Sequence, residues 1–138
     1  MLIDTNILIY AINIDSSKHK IAKNFLEKNK TDLEIAHQNI LEALRVLTHP
    51  KFSKIMDAQE VADAVLSITS VCKLINPTFQ TIYIALELIE KYHFKSDQVF
   101  DAYLAATALS NNIEIIATDN VKDFVHFEQI QIVNPFTS

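Results

Sequence analysis

The 138-residue sequence contains no glycine. Glycine provides the positive φ angles and the close backbone approach that many ligand-binding loops require. Its absence excludes three common kinds of site: the glycine-rich phosphate loop, the dinucleotide-binding fingerprint and the strained serine turn of the α/β-hydrolases. Each of these needs residues without a Cβ at fixed positions. Enzyme classes that depend on such loops are therefore excluded for this chain.

The length and composition predict a single domain with its own hydrophobic core. Chains of this length commonly form one domain, and 49% of the residues are hydrophobic. The single cysteine, Cys72, excludes an intrachain disulfide and a multi-cysteine zinc site. No apolar run approaches the roughly 20 residues of a membrane span, and the first residues lack the basic segment of a signal peptide. We therefore expect a cytoplasmic protein with no membrane partner.

Short apolar segments alternate with helical patterns along the whole chain. Strands are predicted at residues 1–5, 33–36, 72–75, 113–117 and 130–133. Helices are predicted at residues 6–12, 18–29, 38–47, 57–71, 78–92 and 97–109, with Asp57 and Thr78 as candidate N-caps. Strands separated by helices indicate a parallel sheet with helices on both faces. Ligands bind such sheets beyond the carboxyl ends of the strands.

Four carboxylates lie in apolar surroundings near the ends of predicted elements. Asp4 ends the first strand, and Asp119 follows the strand at residues 113–117. Both should project at the same end of a parallel sheet. Glu42 and Asp101 lie within apolar helical segments. Burying an unpaired carboxylate costs several kcal/mol, so the four together indicate a site where a partner offsets their charge.

Each carboxylate also has a purely structural explanation. Asp4 and Asp119 could cap the helix or turn that follows them. Glu42 could face solvent, and Asp101 could interact with the dipole of its own helix. Only the joint pattern favours a functional site over these four separate explanations.

Oxygen ligands of this kind favour Mg²⁺ or Mn²⁺. A metal held by carboxylates lowers the pKa of a bound water and offsets charge on a phosphate, which indicates phosphodiester hydrolysis. Thr5, Asn6 and Thr118 flank the carboxylates and offer polar groups that could orient ligands. The net charge of −5 argues against a protein that coats DNA but is compatible with such a site.

Four segments resemble the acidic motifs of the PIN-domain nucleases, in the same order. They are residues 1–8 (MLIDTNIL), 39–48 (NILEALRVLT), 100–108 (FDAYLAATA) and 117–124 (ATDNVKDF). The likeness is greatest to VapC-type toxins of type II toxin–antitoxin pairs and includes the Leu47-Thr48-His49-Pro50 segment. The match covers nearly the whole chain, so residues 1–138 are expected to form one PIN domain.

The resemblance implies a Rossmann-like α/β/α sandwich with a parallel sheet of about five strands. It also implies a Mg²⁺- or Mn²⁺-dependent endoribonuclease whose catalytic and metal-binding residues are Asp4, Glu42, Asp101 and Asp119, with Asn6 as an accessory residue. The fourth motif offers Asp123 as well. We favour Asp119 because it lies closer to the strand end, which leaves Asp123 to cap a helix or support the site.

The resemblance further implies a homodimer, held inactive by a VapB-like antitoxin through which DNA is bound. Arg45 lies one helical turn after Glu42 and could pair with it or contact an RNA phosphate. Two alternatives remain open at this point. One is a PIN-type ribonuclease of RNA maturation or decay without an antitoxin, and the other is a non-catalytic RNA-binding module.

Overall fold

Five short parallel strands form a central sheet in the computed structural model, which describes residues 1–52 and 54–137. The strands are β1 (Leu2–Ile3), β2 (Glu34–Ala36), β3 (Lys73–Ile75), β4 (Ile115–Ala117) and β5 (Gln131–Val133). Their order across the sheet is β3-β2-β1-β4-β5, and every pairing is parallel. The predicted parallel sheet of about five strands is confirmed.

Helices connect the strands and cover both faces of the sheet. They are α1 (Thr5–Ile12), α2 (His19–Asn29), α3 (His37–Leu47), α4 (Ala58–Thr69), α5 (Thr81–Tyr92), α6 (Gln98–Ser110) and α7 (Val121–Phe124). In the part of the chain that the structure describes, no helix is long and apolar enough to cross a membrane.

The hydrophobic core is divided into two layers by the sheet. Successive strand residues point to opposite faces. Leu2 and Ile116 therefore belong to a cluster that α5, α6 and α7 cover, whereas Ile3 and Ala117 belong to a cluster covered by α1 to α4. This arrangement confirms the predicted α/β/α sandwich.

The strand order creates a crevice between β1 and β4. From β1 the chain proceeds through β2 to β3 on one side of the sheet, and it then returns to build β4 and β5 on the other side. At such a switch point, the connections that follow the two central strands diverge and leave room for a ligand. Asp4 and Thr118 directly follow β1 and β4, so both residues lie at this crevice.

Two predicted helix caps have different outcomes. Asp57 caps α4 as predicted, because its side chain accepts a hydrogen bond from the Glu60 N–H at 2.8 Å. The prediction for Thr78 is wrong, since α5 begins at Thr81. The hydroxyl of the buried Thr81 accepts a hydrogen bond from the Thr78 N–H at 2.8 Å, and this contact holds the residues before α5 in a turn. The same hydroxyl lies 2.7 Å from the Ser110 hydroxyl.

Left-handed backbone positions are filled by other residues in this glycine-free chain. His93, Ser96 and Asn112 have φ angles of 55°, 52° and 59°. His93 ends α5 in a Schellman motif, in which the Phe94 N–H donates to the Ile89 carbonyl at 3.1 Å. A residue with a Cβ is strained in this conformation, so the end of α5 forms at a cost in free energy.

Replacing His93 with glycine should relieve that strain. We expect the melting temperature to rise by about 4 °C, which corresponds to roughly 1 kcal/mol in a chain of this size. The change is measured by thermal unfolding followed by circular dichroism. Ser70→Gly is the control, because Ser70 ends α4 with an ordinary φ of −64° and has no such strain to lose. An equal fall in both variants would contradict this interpretation.

Candidate active site

Asp4 occupies the centre of the crevice. Its side chain is 8% exposed and accepts three hydrogen bonds: from the Thr5 N–H at 2.7 Å, from Asn6 Nδ2 at 3.0 Å and from the Thr118 hydroxyl at 2.7 Å. The cap of α1 is thus also the link between the ends of β1 and β4. Asp4 is therefore the N-cap that the structural explanation predicted, and it also lies at the crevice where ligands of such sheets bind.

Asn6 and Thr118 hold the two strand ends in register. Asn6 Nδ2 also donates to the Thr118 hydroxyl at 3.1 Å, and its Oδ1 accepts from the Asp119 N–H at 3.2 Å. The Thr118 hydroxyl in turn accepts from the Asn120 N–H at 2.9 Å. The three predicted accessory residues Thr5, Asn6 and Thr118 thus all contact the acidic groups or the segment that carries them.

Glu42 approaches the crevice from α3. Its Oε2 accepts from the Thr5 hydroxyl at 2.8 Å, and its Oε1 accepts from Gln38 Nε2 at 2.7 Å. The fully buried Asn39 donates to the same Thr5 hydroxyl at 3.2 Å. Each carboxylate oxygen of Glu42 is therefore held by a separate donor, which fixes the orientation of the group.

Burial and neighbouring negative charge raise the pKa of two carboxyl groups at the site, Asp4 and Asp101. Burial raises the pKa of Asp4 to about 6, against the lowering effect of the hydrogen bonds from Thr118 and Thr5. Burial likewise raises the pKa of Asp101 to about 7, and the charges of Asp123, Asp4 and Glu42 raise it further. When these carboxyl groups are ionised, the crevice therefore carries negative charge that water solvates only in part.

Asp123 is a further acidic residue whose charge acts on this group. Its charge contributes to the raised pKa of both Asp4 and Asp101. Asp123 lies in the first turn of α7 and is partly exposed. Asp123 therefore lies close enough to influence both carboxyl groups, whereas the sequence analysis favoured Asp119 and left Asp123 a capping or supporting role.

The side chain of Asp119 contacts Tyr10 and Lys18. Its Oδ2 accepts a hydrogen bond from the Tyr10 hydroxyl at 2.9 Å and forms an ion pair with Lys18. Burial acts to raise the pKa of Asp119, but the hydrogen bonds from Lys18 and Tyr10 outweigh it and lower that pKa. The Lys18 ammonium also lies 5.3 Å from the centre of the Phe136 ring, which adds a cation–π contact.

A groove of about 1060 Å³ extends from the carboxylates between α3, α5 and α6. Glu42 and Asp101 lie at its wall, and much of the remaining lining is apolar. Arg45 lines the same groove and is exposed. Among residues 1–52 and 54–137, Arg45 forms no ion pair, so the predicted contact with an RNA phosphate stays a prediction.

Two polar residues at the site were not singled out from the sequence: Gln38 and Asn39. Both lie on α3 about one turn before Glu42, in a segment whose apolar residues predict a helix and give no indication of a site. The signal that could have identified Asn39 is its position on the apolar face of a helix, three residues before an acidic candidate.

The family assignment follows from a comparison with protein-family models. The model for the PIN domain matches residues 1–128. The chain belongs to the PIN domain family. The resemblance carried by the four acidic motifs is thereby confirmed at the level of the family.

Individual proteins are similar to this PIN domain over almost its full length. Ribonuclease VapC24 of Mycobacterium tuberculosis is 27% identical over 150 aligned residues, which cover 99% of this chain and 97% of that protein. A chain of a toxin–antitoxin complex from Klebsiella pneumoniae is 24% identical with a TM-score of 0.71, covering 98% of this chain and 97% of that one.

A second solved structure has the same fold. It is the structure of VapBC2 from Rickettsia felis bound to a DNA fragment from the VapBC2 promoter. The matched chain is 20% identical to this one with a TM-score of 0.73, and 96% of each chain is covered. At this level of identity, the two structural matches show that the PIN domain architecture is shared.

Removing the charge of Asp101 should stabilise the metal-free PIN domain above neutral pH. The folded state holds the Asp101 proton up to about pH 7, whereas the unfolded chain releases it near 3.8. The folded state therefore binds more protons between these values, and stability falls as the pH rises through them. Solvent reduces the effect at this partly exposed group, so for Asp101→Asn we expect a rise of about 3 °C at pH 8.

The measurement is thermal unfolding between pH 5 and pH 8 with a chelator present. Asp63→Asn on the exposed surface of α4 is the matched control, and it should leave the pH dependence unchanged. A steeper loss of stability at pH 8 in Asp101→Asn than in the wild type would contradict the electrostatic account.

Proposed function

We propose that this chain is a metal-dependent endoribonuclease of the VapC type. The observation that carries the proposal is the buried Asp4 at the switch point of a PIN domain. Burial and the charges of Glu42 and Asp123 raise its pKa, and burial and the same two charges, together with that of Asp4, raise the pKa of Asp101. The name of the relative VapC24, a ribonuclease, supports RNA as the substrate. A single cysteine is compatible with a reducing compartment, and we propose the cytoplasm as the place of action.

Mg²⁺ or Mn²⁺ is the cofactor that fits these residues best. The donors are carboxylate oxygens, which such ions prefer. The raised pKa values of Asp4 and Asp101 reflect burial first and repulsion by neighbouring carboxylates second, and a bound cation would offset both. In the described part of the chain, no three Asp, Glu, His or Cys side chains are already arranged around one point. Mg²⁺ commonly takes one or two protein carboxylates and completes its shell with water and phosphate.

The bound ion would lower the pKa of a water and offset charge on the scissile phosphate. The side chains of the crevice supply the rest. Asp4, fixed by three donors, would hold the ion together with Asp101, and the charge of Asp123 would add to the attraction for the cation. Glu42, whose two oxygens are each held by a separate donor, would orient the attacking water and accept its proton.

We also propose that the chain forms a homodimer and that its protein partner is a VapB-like antitoxin. The solved complexes from Klebsiella pneumoniae and Rickettsia felis support the second proposal, since both pair a toxin with an antitoxin. In this proposal, contact with DNA occurs only through the antitoxin. The first proposal is supported by exposed apolar side chains of α5, namely Ile82, Tyr83 and Leu86.

Cleavage of an RNA pool by the purified chain tests the central proposal. We expect cutting with Mg²⁺ or Mn²⁺, none with a chelator, and a loss of at least about 100-fold in the Asp101→Asn variant, since one charge at the metal is removed. Asp4→Asn should lose activity as well. Asp63→Asn is the control for both. A folded wild type that binds RNA and does not cut it with either metal would favour a binding module.

The identity of the fourth carboxylate is tested by substituting Asp119 and Asp123 separately, two residues that lie four positions apart in the sequence. Asp123→Asn should reduce cleavage by at least about tenfold, because it removes a charge that acts on Asp4 and Asp101. Asp119→Asn should retain most activity, because its partners are Lys18 and Tyr10. The rates are measured at saturating metal. The reverse order of effects would restore Asp119 as the fourth residue.

The mass in solution tests the homodimer. We expect light scattering to give twice the chain mass of 15.7 kDa. Ile82 lines the groove and is 49% exposed, so a charge there should weaken association at least about tenfold in Ile82→Glu. Val125→Glu, at a 59% exposed residue after α7, should leave the dimer intact. A monomeric wild type at micromolar concentration would refute this assignment.

A further inference from the structure

Gln38 joins two of the helices that carry the acidic residues. Its Nε2 donates to Glu42 Oε1 at 2.7 Å and to the backbone carbonyl of Phe100 at 2.9 Å. Phe100 directly precedes Asp101 in the first turn of α6. A single amide group therefore connects the carboxylate of Glu42 to the helical turn that presents Asp101.

The orientation of the Gln38 amide leaves its oxygen atom, Oε1, without a hydrogen bond among the described residues. Gln38 Oε1 is buried and accepts no hydrogen bond from any residue that the structure describes. Turning the amide over would place this oxygen against the Glu42 carboxylate and the Phe100 carbonyl, which are both acceptors. The two contacts of Nε2 therefore determine the orientation of the side chain, although a buried acceptor without a partner destabilises the fold.

An interaction kept at the expense of stability is typical of a functional position. Helix α3 does not need this contact in order to form, because its apolar face is anchored by the fully buried Ala43 and Leu47. What the contact determines is the placement of Glu42 relative to α6. This placement affects the chemistry of the crevice rather than the core.

We propose that Gln38 is a positioning residue of the nuclease. By bridging Glu42 and the Phe100 carbonyl, it fixes the carboxylate that orients the attacking water relative to Asp101. The inference rests on the proposed function and deepens it. Because Gln38 acts through Glu42 and not on the substrate, its loss should lower kcat and leave KM unchanged.

Gln38→Met tests the proposal, because methionine has a similar shape and removes both the donor and the unsatisfied acceptor. We expect kcat for a defined RNA oligonucleotide to fall at least tenfold, KM to stay within twofold, and the melting temperature not to fall. Gln59→Met is the matched control. Gln59 makes the same kind of contact to the acidic residue four positions later, Asp63, at 2.9 Å on the exposed surface of α4.

A double-mutant cycle separates positioning from a general structural effect. In a Glu42→Gln background, measured under single-turnover conditions, Gln38→Met should cause less than a twofold further loss. A full additional tenfold loss would overturn the proposal, since Gln38 would then act independently of Glu42. A kcat equal to that of the wild type, or a loss confined to KM, would overturn it as well.

A measurement without catalysis distinguishes failure of this inference from failure of the proposed function. In the metal-free protein, the side-chain carboxyl ¹³C resonances of Glu42 and Asp101 should both move in Gln38→Met and stay in place in Gln59→Met. Unmoved resonances in Gln38→Met would overturn the positioning role even if RNA is cleaved. Absence of RNA cleavage by the wild type, with the resonances moved, would instead refute the nuclease.

Discussion

The desolvated carboxylate of Asp4 is the constraint on which this site depends. A negative charge at the end of a buried strand is tolerated only where donors surround it. The Thr5 N–H, Asn6 and Thr118 provide those donors, and they come from α1 and from the end of β4. The need to stabilise one charge therefore sets the relative position of the two central strand ends.

Around this fixed charge the protein leaves the other carboxylates underneutralised. Among the residues that the structure describes, Asp4, Asp101 and Asp123 form no ion pair, whereas Lys18 pairs with Asp119, one residue beyond Thr118. A lysine therefore lies close to this region, but it pairs with Asp119 and not with the carboxylates of the crevice. The charge left in the crevice is what a divalent ion or a cationic group of a partner would offset.

The sequence was sufficient to predict the fold class, the alternation of strands and helices along the chain, and Asp4, Glu42 and Asp101 as candidate residues of the crevice. Asp4, Glu42 and Asp101 were identifiable because an acidic residue interrupts an apolar segment in each case. The choice between Asp119 and Asp123 depends on the direction of a side chain in a short turn, which spacing does not determine. Gln38 was missed for a related reason, since its role arises from the approach of α6, a helix sixty residues later in the chain.

The lack of glycine has a consequence for the unfolded chain as well. Every residue of the sequence carries a Cβ, so the denatured ensemble samples fewer backbone conformations than that of an ordinary chain of equal length. Less conformational entropy is then lost on folding, which favours the native state without any added contact. Part of this advantage is lost at three positions, because the fold requires there a left-handed backbone conformation that glycine adopts most easily. These positions are His93, Ser96 and Asn112.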